Sequence, residues 1–179
     1  VSGGTLRLAG GADRLPADSD VAVAAGATLD LNGQAQTVAS IGGSGTVVGG
    51  SLAVTGEIAP GGVGEVGTLT LAQTPALSSV ALRVDTRLNG ACDRLDVTDD
   101  LDLSQLSLVI EDTAQLAGYA YEIVTCGGAL TGSFAGTPNL PASWIVKIDR
   151  TAGAGKVQLI HNLGTLLDRK STRLNSSHI

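Results

Sequence analysis

Methionine and large aromatic side chains are what this sequence lacks most. Its 179 residues include no Met, one Trp, two Tyr and one Phe, so aromatic residues make up 2% of the chain. A globular enzyme of this length usually fills its core with such side chains, whereas a repetitive β structure can be filled by narrow layers of Val, Leu, Ile and Ala. The shortage therefore favours a repetitive β protein over a typical enzyme.

Long apolar runs and a recognisable leader are also missing. No apolar run approaches the ~18 to 20 residues that a helix needs to cross a bilayer. The chain begins at Val1 rather than at Met, and it has no basic segment followed by an apolar one near its start. We therefore expect a fragment of a longer protein, whose location has to be inferred from its fold type.

Positive charge is scarce as well. Lys and Arg number 11 against 17 Asp and Glu, which gives a net charge of −6. An acidic chain is repelled by the phosphates of nucleic acids and of anionic lipids. We therefore expect neither nucleic acid nor an anionic membrane surface as a partner.

The last segment, 168–179, breaks every trend of the preceding chain. It is basic, contains no Gly and shows no β alternation. It resembles the in-frame translation of a sequencing adapter. We predict a non-native or disordered tail over 163–179, and such an end carries no information about the fold.

Glycine and aliphatic residues are what the chain has in plenty, with 25 Gly and 43% hydrophobic residues. Three segments, Gly4–Leu8, Ala27–Leu31 and Gly67–Leu71, place Leu at alternate positions with a polar or charged residue between them. This alternation puts both Leu side chains on one face of a strand and the intervening residue in solvent. The step along the chain from Thr5 to Thr28 is typical of one coil of a β-solenoid.

Further alternating runs predict short strands along the rest of the chain. Asn32-Gly33 would suit a tight hairpin turn, and the one helix candidate, Thr113 to Ala117, is about one turn long. The sequence therefore predicts an all-β fold, a right-handed parallel β-helix or β-solenoid in a single elongated domain. Within it, 1–75 would form Gly-rich coils and 76–162 would form coils with longer strands. The further runs are Val21/Val23, Val38/Ile41, Val47, Leu52/Val54, 77–85, 95–97, 101–103, 106–110, 119–125, 130–134, 144–148 and 156–160.

A glycine-rich turn at Pro60-Gly61-Gly62 joins these two parts. Glycine adopts positive φ without steric penalty, so the turn suits a tight corner. The alternating pattern resumes soon after it, at Leu69 and Leu71. We predict a structural turn that ends the Gly-rich coils and sets the register of the strand beyond.

The same stretch carries a family resemblance. Gly-x-Ile-x-Pro-Gly at 56–61, followed after a short insert by Gly-Thr-Leu-Thr-Leu at 67–71, resembles the repeat of autotransporter passenger domains with autotransporter-associated β-strand repeats. Residues 4–8 and 26–33 match the same style. The chain departs from the family pattern at the insert 62–66, which lacks the usual Asn or Ser, and in having two cysteines.

The resemblance, which extends over about 1–162, implies a structural role. The chain would be an adhesin-like passenger module of a secreted protein from a Gram-negative type of bacterium, presenting loops and supporting the folding of the rod. It would lie at the cell surface, associated with the outer membrane, or outside the cell, with a membrane anchor or β-barrel further downstream. The implied partners are a host surface, an extracellular matrix or a polysaccharide. No catalytic residue, metal or cofactor is predicted.

Two other functions stay open, and both use a cluster of acidic residues. The cluster contains Asp93, Asp96, Asp99, Asp100 and Asp102. Calcium needs several carboxylates converging on one ion, and Asp96, Asp99, Asp100 and Asp102 are weak candidates for a calcium-stabilised extracellular matrix protein. Paired carboxylates would serve a polysaccharide-active parallel β-helix enzyme. Because the alternation directs these side chains outward or into turns, we favour a solvated acidic face.

Cys92 and Cys126 are the two cysteines of the chain. In a cell-surface protein an even number of Cys can pair, and a disulfide closing such a loop contributes about 2–4 kcal/mol. Both residues lie in or beside a polar corner. A disulfide and a pair of free, half-buried thiols are both compatible with the sequence.

Overall fold

The computed structural model describes residues 1–62, 64–117 and 120–162, so the predicted tail at 163–179 and Tyr119 of a predicted strand lie outside the described residues. Within these ranges the helical pieces are two 3-10 turns, Leu103–Gln105 and Thr113–Gln115. The predicted all-β class is confirmed. In chain order the strands are β1 (Thr5–Arg7), β2 (Asp20–Val23), β3 (Thr28–Asp30), β4 (Ala35–Gly43), β5 (Thr46–Val48), β6 (Ser51–Pro60), β7 (Thr68–Leu71), β8 (Ala76–Leu77), β9 (Val80–Val84), β10 (Arg94–Val97), β11 (Leu101–Asp102), β12 (Leu106–Ile110), β13 (Ala120–Cys126), β14 (Leu130–Thr131), β15 (Trp144–Asp149) and β16 (Gly155–His161).

Two large sheets and a small one contain these strands. The first sheet has the order β1-β3-β5-β7-β10-β13-β16-β15, the second has the order β12-β9-β6-β4-β2 with β8 beside β6, and the third pairs β11 with β14. From β1 to β7 the chain changes between the first and second sheets at every strand. All the pairs in the second and third sheets are parallel. In this part of the chain each strand therefore rejoins its own sheet only after the chain has crossed to the other, as parallel pairing requires.

We call each stretch of chain that leaves the first sheet and returns to it a pass. Equivalent residues of successive passes lie side by side in the first sheet. Thr5 is the register partner of Thr28, which confirms the predicted step between these two segments. The next step, from Thr28 to Thr46, is shorter. A later step, from Leu95 to Val124, is longer than either. The passes therefore lengthen toward the end of the chain while the strands that pair stay short.

The core lies between the inner faces of the two large sheets and is built from columns of aliphatic side chains. One column of the first sheet contains Leu29, Val47, Leu71 and Val97, each no more than 1% exposed. The matching column of the second sheet contains Ile41, Ile58, Leu82 and Leu108, also no more than 1% exposed. Fully burying one such side chain is worth about 1.5–3 kcal/mol. Repeated layers of aliphatic side chains thus fill this core, as aromatic clusters fill the cores of other proteins.

Leu6 departs from the predicted pattern. The alternation puts Leu6 and Leu8 on one buried face, but Leu6 is 46% exposed while Leu8 is 8% exposed. The reason is the position of β1, which is the first strand of its sheet and pairs only with β3 among the described residues. Alternation predicts which way a side chain points, whereas its burial also needs a neighbouring strand to cover it.

Asn32-Gly33 does not form the hairpin turn that its sequence would suit. Both residues have positive φ, +52° and +75°, as a tight turn of the hairpin kind requires. However, the turn connects β3 of the first sheet to β4 of the second, and these two strands do not pair. The same backbone geometry serves here as a corner between two sheets.

The end of the chain also departs from the parallel arrangement that we predicted. β16 pairs antiparallel with both β13 and β15. The connection between β15 and β16 is the short segment 150–154, and a connection of that length allows only antiparallel pairing. The parallel prediction is therefore wrong for the last two strands.

Two predicted strands are broken up in the structure. The run at 77–85 is divided into β8 and β9, because Ser79 adopts a positive φ of +53° between them. The run at 130–134 contributes only the two residues of β14. In both places the alternation of apolar residues continues through a bend that the pattern alone does not reveal.

Candidate functional site

The turn predicted at Pro60–Gly62 lies over a polar cluster of two buried carboxylates and one half-buried arginine, which we call the seam cluster: Asp85, Arg87 and Asp93. β6 ends at Pro60, and the next residue, Gly61, has φ +79° and donates its N–H to the Gly43 carbonyl at 2.9 Å. The chain then reaches β7 through residues 62–67, of which Val63 lies outside the described residues. The turn therefore leads directly from the second sheet back to the first.

Gly61 occupies a position with no room for a side chain. A Cβ atom built there would overlap the Glu65 carbonyl oxygen, the Gly67 nitrogen and the Asp93 carboxylate. At Gly62, which has a similar φ of +90°, a Cβ would meet nothing within 4 Å. Gly61 is thus required by both its backbone angle and the carboxylate above it, whereas Gly62 is required only by its angle.

Asp93 fastens the turn to the following pass of the chain. Its side chain belongs to a residue that is 2% exposed, and it accepts hydrogen bonds from Gly67 N and Asp85 N, both at 2.8 Å. The Asp85 carboxylate in turn accepts from Gly64 N at 3.0 Å. Two carboxylates from the residues before β10 therefore bind the backbone N–H groups of the loop before β7.

Arg87 is the cation of the seam cluster. Its guanidinium lies 3.7 Å from Asp85 and also donates to the Gly64 carbonyl. One arginine facing two buried carboxylates leaves an excess of negative charge in a region of low polarity. Burial raises the pKa of Asp93 to about 7, and the neighbouring Asp85 charge adds to this, while hydrogen bonds from Asp85 N and Gly67 N and the charge of Arg87 oppose it.

The seam cluster can do two things: the Asp93 carboxyl can bind a proton near neutral pH, and the two carboxylates can hold the loop before β7 in place. A raised carboxyl pKa is often a sign of an active site, but both oxygens of Asp93 are already engaged with backbone N–H groups. The geometry therefore makes the cluster a structural clip between two passes of the chain.

Sequence reasoning missed this cluster, because it counted Asp93 with the solvated acidic residues. The available signal was the spacing of Asp85 and Asp93 on either side of a short Asn-Gly loop, which brings their backbones together. In the structure Asp93 N donates to Asp85 O at 2.9 Å. A pattern of outward-pointing residues cannot show that one member is covered by a loop from an earlier pass.

The four weak calcium candidates have separate hydrogen-bonding partners. Asp96 accepts from the Thr125 hydroxyl at 2.7 Å on the outer face of the first sheet, and Asp100 accepts from Ala129 N at 2.7 Å. Asp102 accepts from both the N–H and the hydroxyl of Ser104, which lowers its pKa. The remaining candidate, Asp99, is exposed and its carbonyl oxygen accepts from the Cys126 thiol at 3.1 Å.

These positions do not assemble a cation site in the described part of the chain. Within residues 1–62, 64–117 and 120–162, no group of three or more His, Cys, Asp or Glu side chains is arranged to hold a metal ion. Asp96 lies on the first sheet and Asp102 on the third, so the two carboxylates considered for sugar cleavage belong to different sheets. Each Asp instead supports the backbone or a side chain close to it.

Cys92 and Cys126 are free thiols in the structure. Cys126 is the register partner of Val97, while Cys92 precedes Val97 by five positions. Five positions of extended chain span about 16 Å. Cys92 therefore lies about that far along the strand direction from the level of Cys126, which is far beyond the reach of a disulfide. Burial also raises the pKa of the Cys92 thiol to about 11, so it is a poor nucleophile at neutral pH.

A shallow groove of about 970 Å³ lies on the outer face of the second sheet near the start of the chain. Small residues of β2, β4 and β6, among them Ala22, Gly42 and Ala59, line it, and none of the described lining residues is aromatic. Its two acidic residues already have partners: Asp20 accepts from the Ser40 hydroxyl, and Glu57 pairs with Arg83 outside the lining. The groove offers shape but few free polar groups to orient a ligand.

Comparison with known proteins adds no relative. No protein-family model matches the chain, and a search of curated proteins finds no significant match. No helix within the described residues is long and apolar enough to cross a membrane. The functional conclusion consequently depends on the geometry of the sheets and loops.

Proposed function

We propose that the chain is a β-solenoid segment of a secreted bacterial surface protein, in which stacked coils form a rod that holds loops out to solvent. The observation that carries this proposal is the regular return of the chain to the same two sheets, with equivalent residues in register. Leu29, Val47, Leu71 and Val97 come from four successive passes and lie in one buried column. A rod of this kind acts by presentation rather than by catalysis.

The shortness of the strands supports a stacked arrangement. β5 has only three residues, yet its central Val47 is fully buried, because β3 pairs on one side and β7 on the other. Isolated strands of this length would be unstable in water. Each coil therefore depends on the coils before and after it, as in other repeat proteins.

The loop between Thr86 and Cys92 supports the presenting role. It is closed by an antiparallel bridge between these two residues, and its tip carries Leu88, which is 62% exposed. Loops held on a rigid scaffold commonly carry binding functions. In agreement with the family resemblance, the partners we propose are a host surface, an extracellular matrix or a polysaccharide.

The last strands support a second role, which is to stabilise the end of the rod and aid its folding. Tyr121 and Trp144 pack with ring centres 5.6 Å apart, and Trp144 contacts His161 at 5.3 Å. Aromatic pairs of this kind add about 0.5–1.5 kcal/mol beyond the area they bury. The antiparallel pair β15–β16 thus forms a local, well-packed unit at one end of the first sheet.

Surface display of the chain tests the proposal. Residues 1–162 are joined to an outer-membrane β-barrel anchor in a Gram-negative host, with a short epitope inserted after Leu88; the matched control carries the same epitope after Val47. We expect antibody to label intact cells carrying the loop insertion, while the strand insertion abolishes both folding and display. A folded loop variant that antibody cannot reach on intact cells, or one that degrades a polysaccharide, would overturn the proposed role.

A further inference from the structure

Two Asn-Gly steps occur in the sequence, Asn32-Gly33 and Asn89-Gly90, and the structure places them in very different surroundings. Both Gly residues have positive φ, +75° and +88°. Asn32 is half-buried in the corner between β3 and β4, whereas Asn89 is exposed at the tip of the loop that joins β9 to β10. The two Asn-Gly steps therefore have the same local chemistry in different surroundings, so that one can serve as the control for the other.

An Asn-Gly step can modify itself in water. The backbone nitrogen of the glycine attacks Cγ of the asparagine, so that a new C–N bond forms and the Cγ–Nδ2 bond breaks. The amide group leaves as ammonia, taking up the proton that the backbone nitrogen loses, and a cyclic imide remains. Water then opens the imide at either carbonyl and produces aspartate or isoaspartate. Asparagine is thermolabile for this reason, and a glycine that follows offers no side chain to shield its nitrogen.

Asn32 is held away from this reaction on three sides. Its Nδ2 donates to the Leu8 carbonyl at 2.9 Å, and its Oδ1 accepts from Arg7 Nε at 3.0 Å. The attacking atom is also occupied, because Gly33 N donates to the Gly49 carbonyl of the next pass. Reaching the geometry of attack would require these bonds between neighbouring passes to break together.

Asn89 has none of these restraints from other passes among the described residues. Its Oδ1 accepts from Ala91 N at 3.1 Å, and Gly90 N donates to the Arg87 carbonyl at 2.9 Å, so both bonds lie within the loop itself. A Cβ would meet nothing within 4 Å at either Gly90 or Gly33, so the two sites differ in their hydrogen bonds and not in the space beside the glycine. Local opening of this exposed loop therefore frees the Gly90 nitrogen for attack.

We propose that Asn89 is a site of spontaneous deamidation and that Asn32 is protected from it by the stacking of the coils. The modification adds one negative charge beside Arg87 in the loop that connects Asp85 to Asp93. Isoaspartate also lengthens the backbone of the loop by one carbon. This inference goes beyond the proposed display role, since it concerns the chemistry of the loop whatever the loop contacts.

Ageing of the full chain tests the inference. The folded protein is kept at pH 8 and 37 °C, samples are digested, and peptides containing Asn89 and Asn32 are followed by mass spectrometry. We expect the Asn89 peptide to gain the mass of an amide-to-acid conversion at least roughly tenfold faster than the Asn32 peptide, because the barrier at Asn32 includes several hydrogen bonds. Chromatographic separation of aspartate from isoaspartate identifies the product.

The same chain unfolded in urea is the matched control. Without the fold, both steps are Asn-Gly in a flexible chain, so we expect their rates to become similar. The variant Asn89→Gln should lose the rapid mass change while leaving the slow one unaltered. Equal rates at the two sites in the folded protein, or a faster rate at Asn32, would contradict the proposal.

Discussion

Before residue 75 the corners of the chain are rich in glycine with positive φ, and after it such glycines are few. Of the thirteen glycines with positive φ among the described residues, ten lie in the first region. In the second region Asp100 binds Ala129 N, and Asn139 binds both the N–H and the carbonyl of Ile110. Both regions close corners with side-chain hydrogen bonds, such as that from Asn32 Nδ2 to the Leu8 carbonyl, but the first region also uses many more glycines with positive φ.

The passes of the two regions also differ in length. In the first region the chain can return to its sheet after a short step, as from Thr28 to Thr46. The pass from Leu95 to Val124 is longer, because the chain visits the third sheet at β11 before it continues to the second. The aromatic residues Tyr121, Phe134 and Trp144 all lie in this second region and pack in or against the core.

The largest expected effect comes from the corner where the two regions meet. Gly61→Val should lower the free energy of unfolding by more than about 4 kcal/mol, because it combines positive φ with an overlap against Asp93 and Glu65. Gly62→Val has a similar φ but open space around it, and should lose only about 1–2 kcal/mol. Urea unfolding of both variants checks this, and equal losses would show that Asp93 does not cover the corner.

The next effect is the pH dependence that the seam cluster imposes. The pKa of Asp93 is raised from 3.8 to about 7 in the fold, so the folded state binds the extra proton and stability falls as pH rises from about 4 to about 7. At about 1.36 kcal/mol per pKa unit the fall amounts to at most about 4 kcal/mol. Free energies of unfolding at pH 5 and pH 8 measure the larger part of this fall, which begins near pH 4.

Asp93→Asn is the variant that isolates this contribution. It cannot ionise, so its stability should change much less between pH 5 and pH 8 than that of the native protein. The side chains of Asp85 and Arg87, which face Asp93, remain in place as a control for the rest of the cluster. An unchanged slope in the variant would place the titrating group elsewhere.

A smaller effect distinguishes the inside of the first region from its edge. Leu29→Ala should lose about 3 kcal/mol, because Leu29 is 1% exposed and its removal leaves a cavity between β1 and β5. Leu6→Ala removes the register partner of Leu29, yet it should lose less than about 1 kcal/mol because Leu6 is already 46% exposed. Thermal melting compares the pair, and similar losses would mean that β1 is covered.

The smallest effect concerns an ion-pair ladder that crosses from one region to the other. Arg83 pairs with Glu57 of the first region and Glu111 of the second. All three side chains are partly in solvent, so Arg83→Ala should lose less than about 1 kcal/mol, and the loss should shrink further at high salt. A larger loss that survives salt would show that packing of the arginine stem, rather than its charge, is responsible.

Much of the strand pattern could be predicted from the sequence because alternation has a direct physical cause. The segments at Thr5 and Thr28 pair in the predicted register, which aligns their alternating apolar and polar positions. Alternation cannot predict which strand lies beside a given strand in the sheet. Leu6 is exposed, and Asn32-Gly33 joins two sheets, because both outcomes depend on which strand lies beside them.

The polar residues were harder to predict for the same reason. Asp93 and Asp96 lie close together in one acidic run, and composition treats them alike. In the structure the first is covered by the loop that follows Pro60, while the second bonds Thr125 at the surface. Whether a carboxylate is buried depends on contacts with residues distant in the sequence. Asp93 is covered by a loop from an earlier pass, and the local sequence around Asp93 does not show that contact.

β7 is the place to test whether the two regions form one continuous stack. Leu71 has Val47 of the first region as its register partner on one side and Val97 of the second on the other. In a nuclear Overhauser experiment on the labelled protein, we expect contacts from Leu71 to both Val47 and Val97. Contacts to Val47 without contacts to Val97 would contradict the account, because the two regions would then be separate units joined only by the chain.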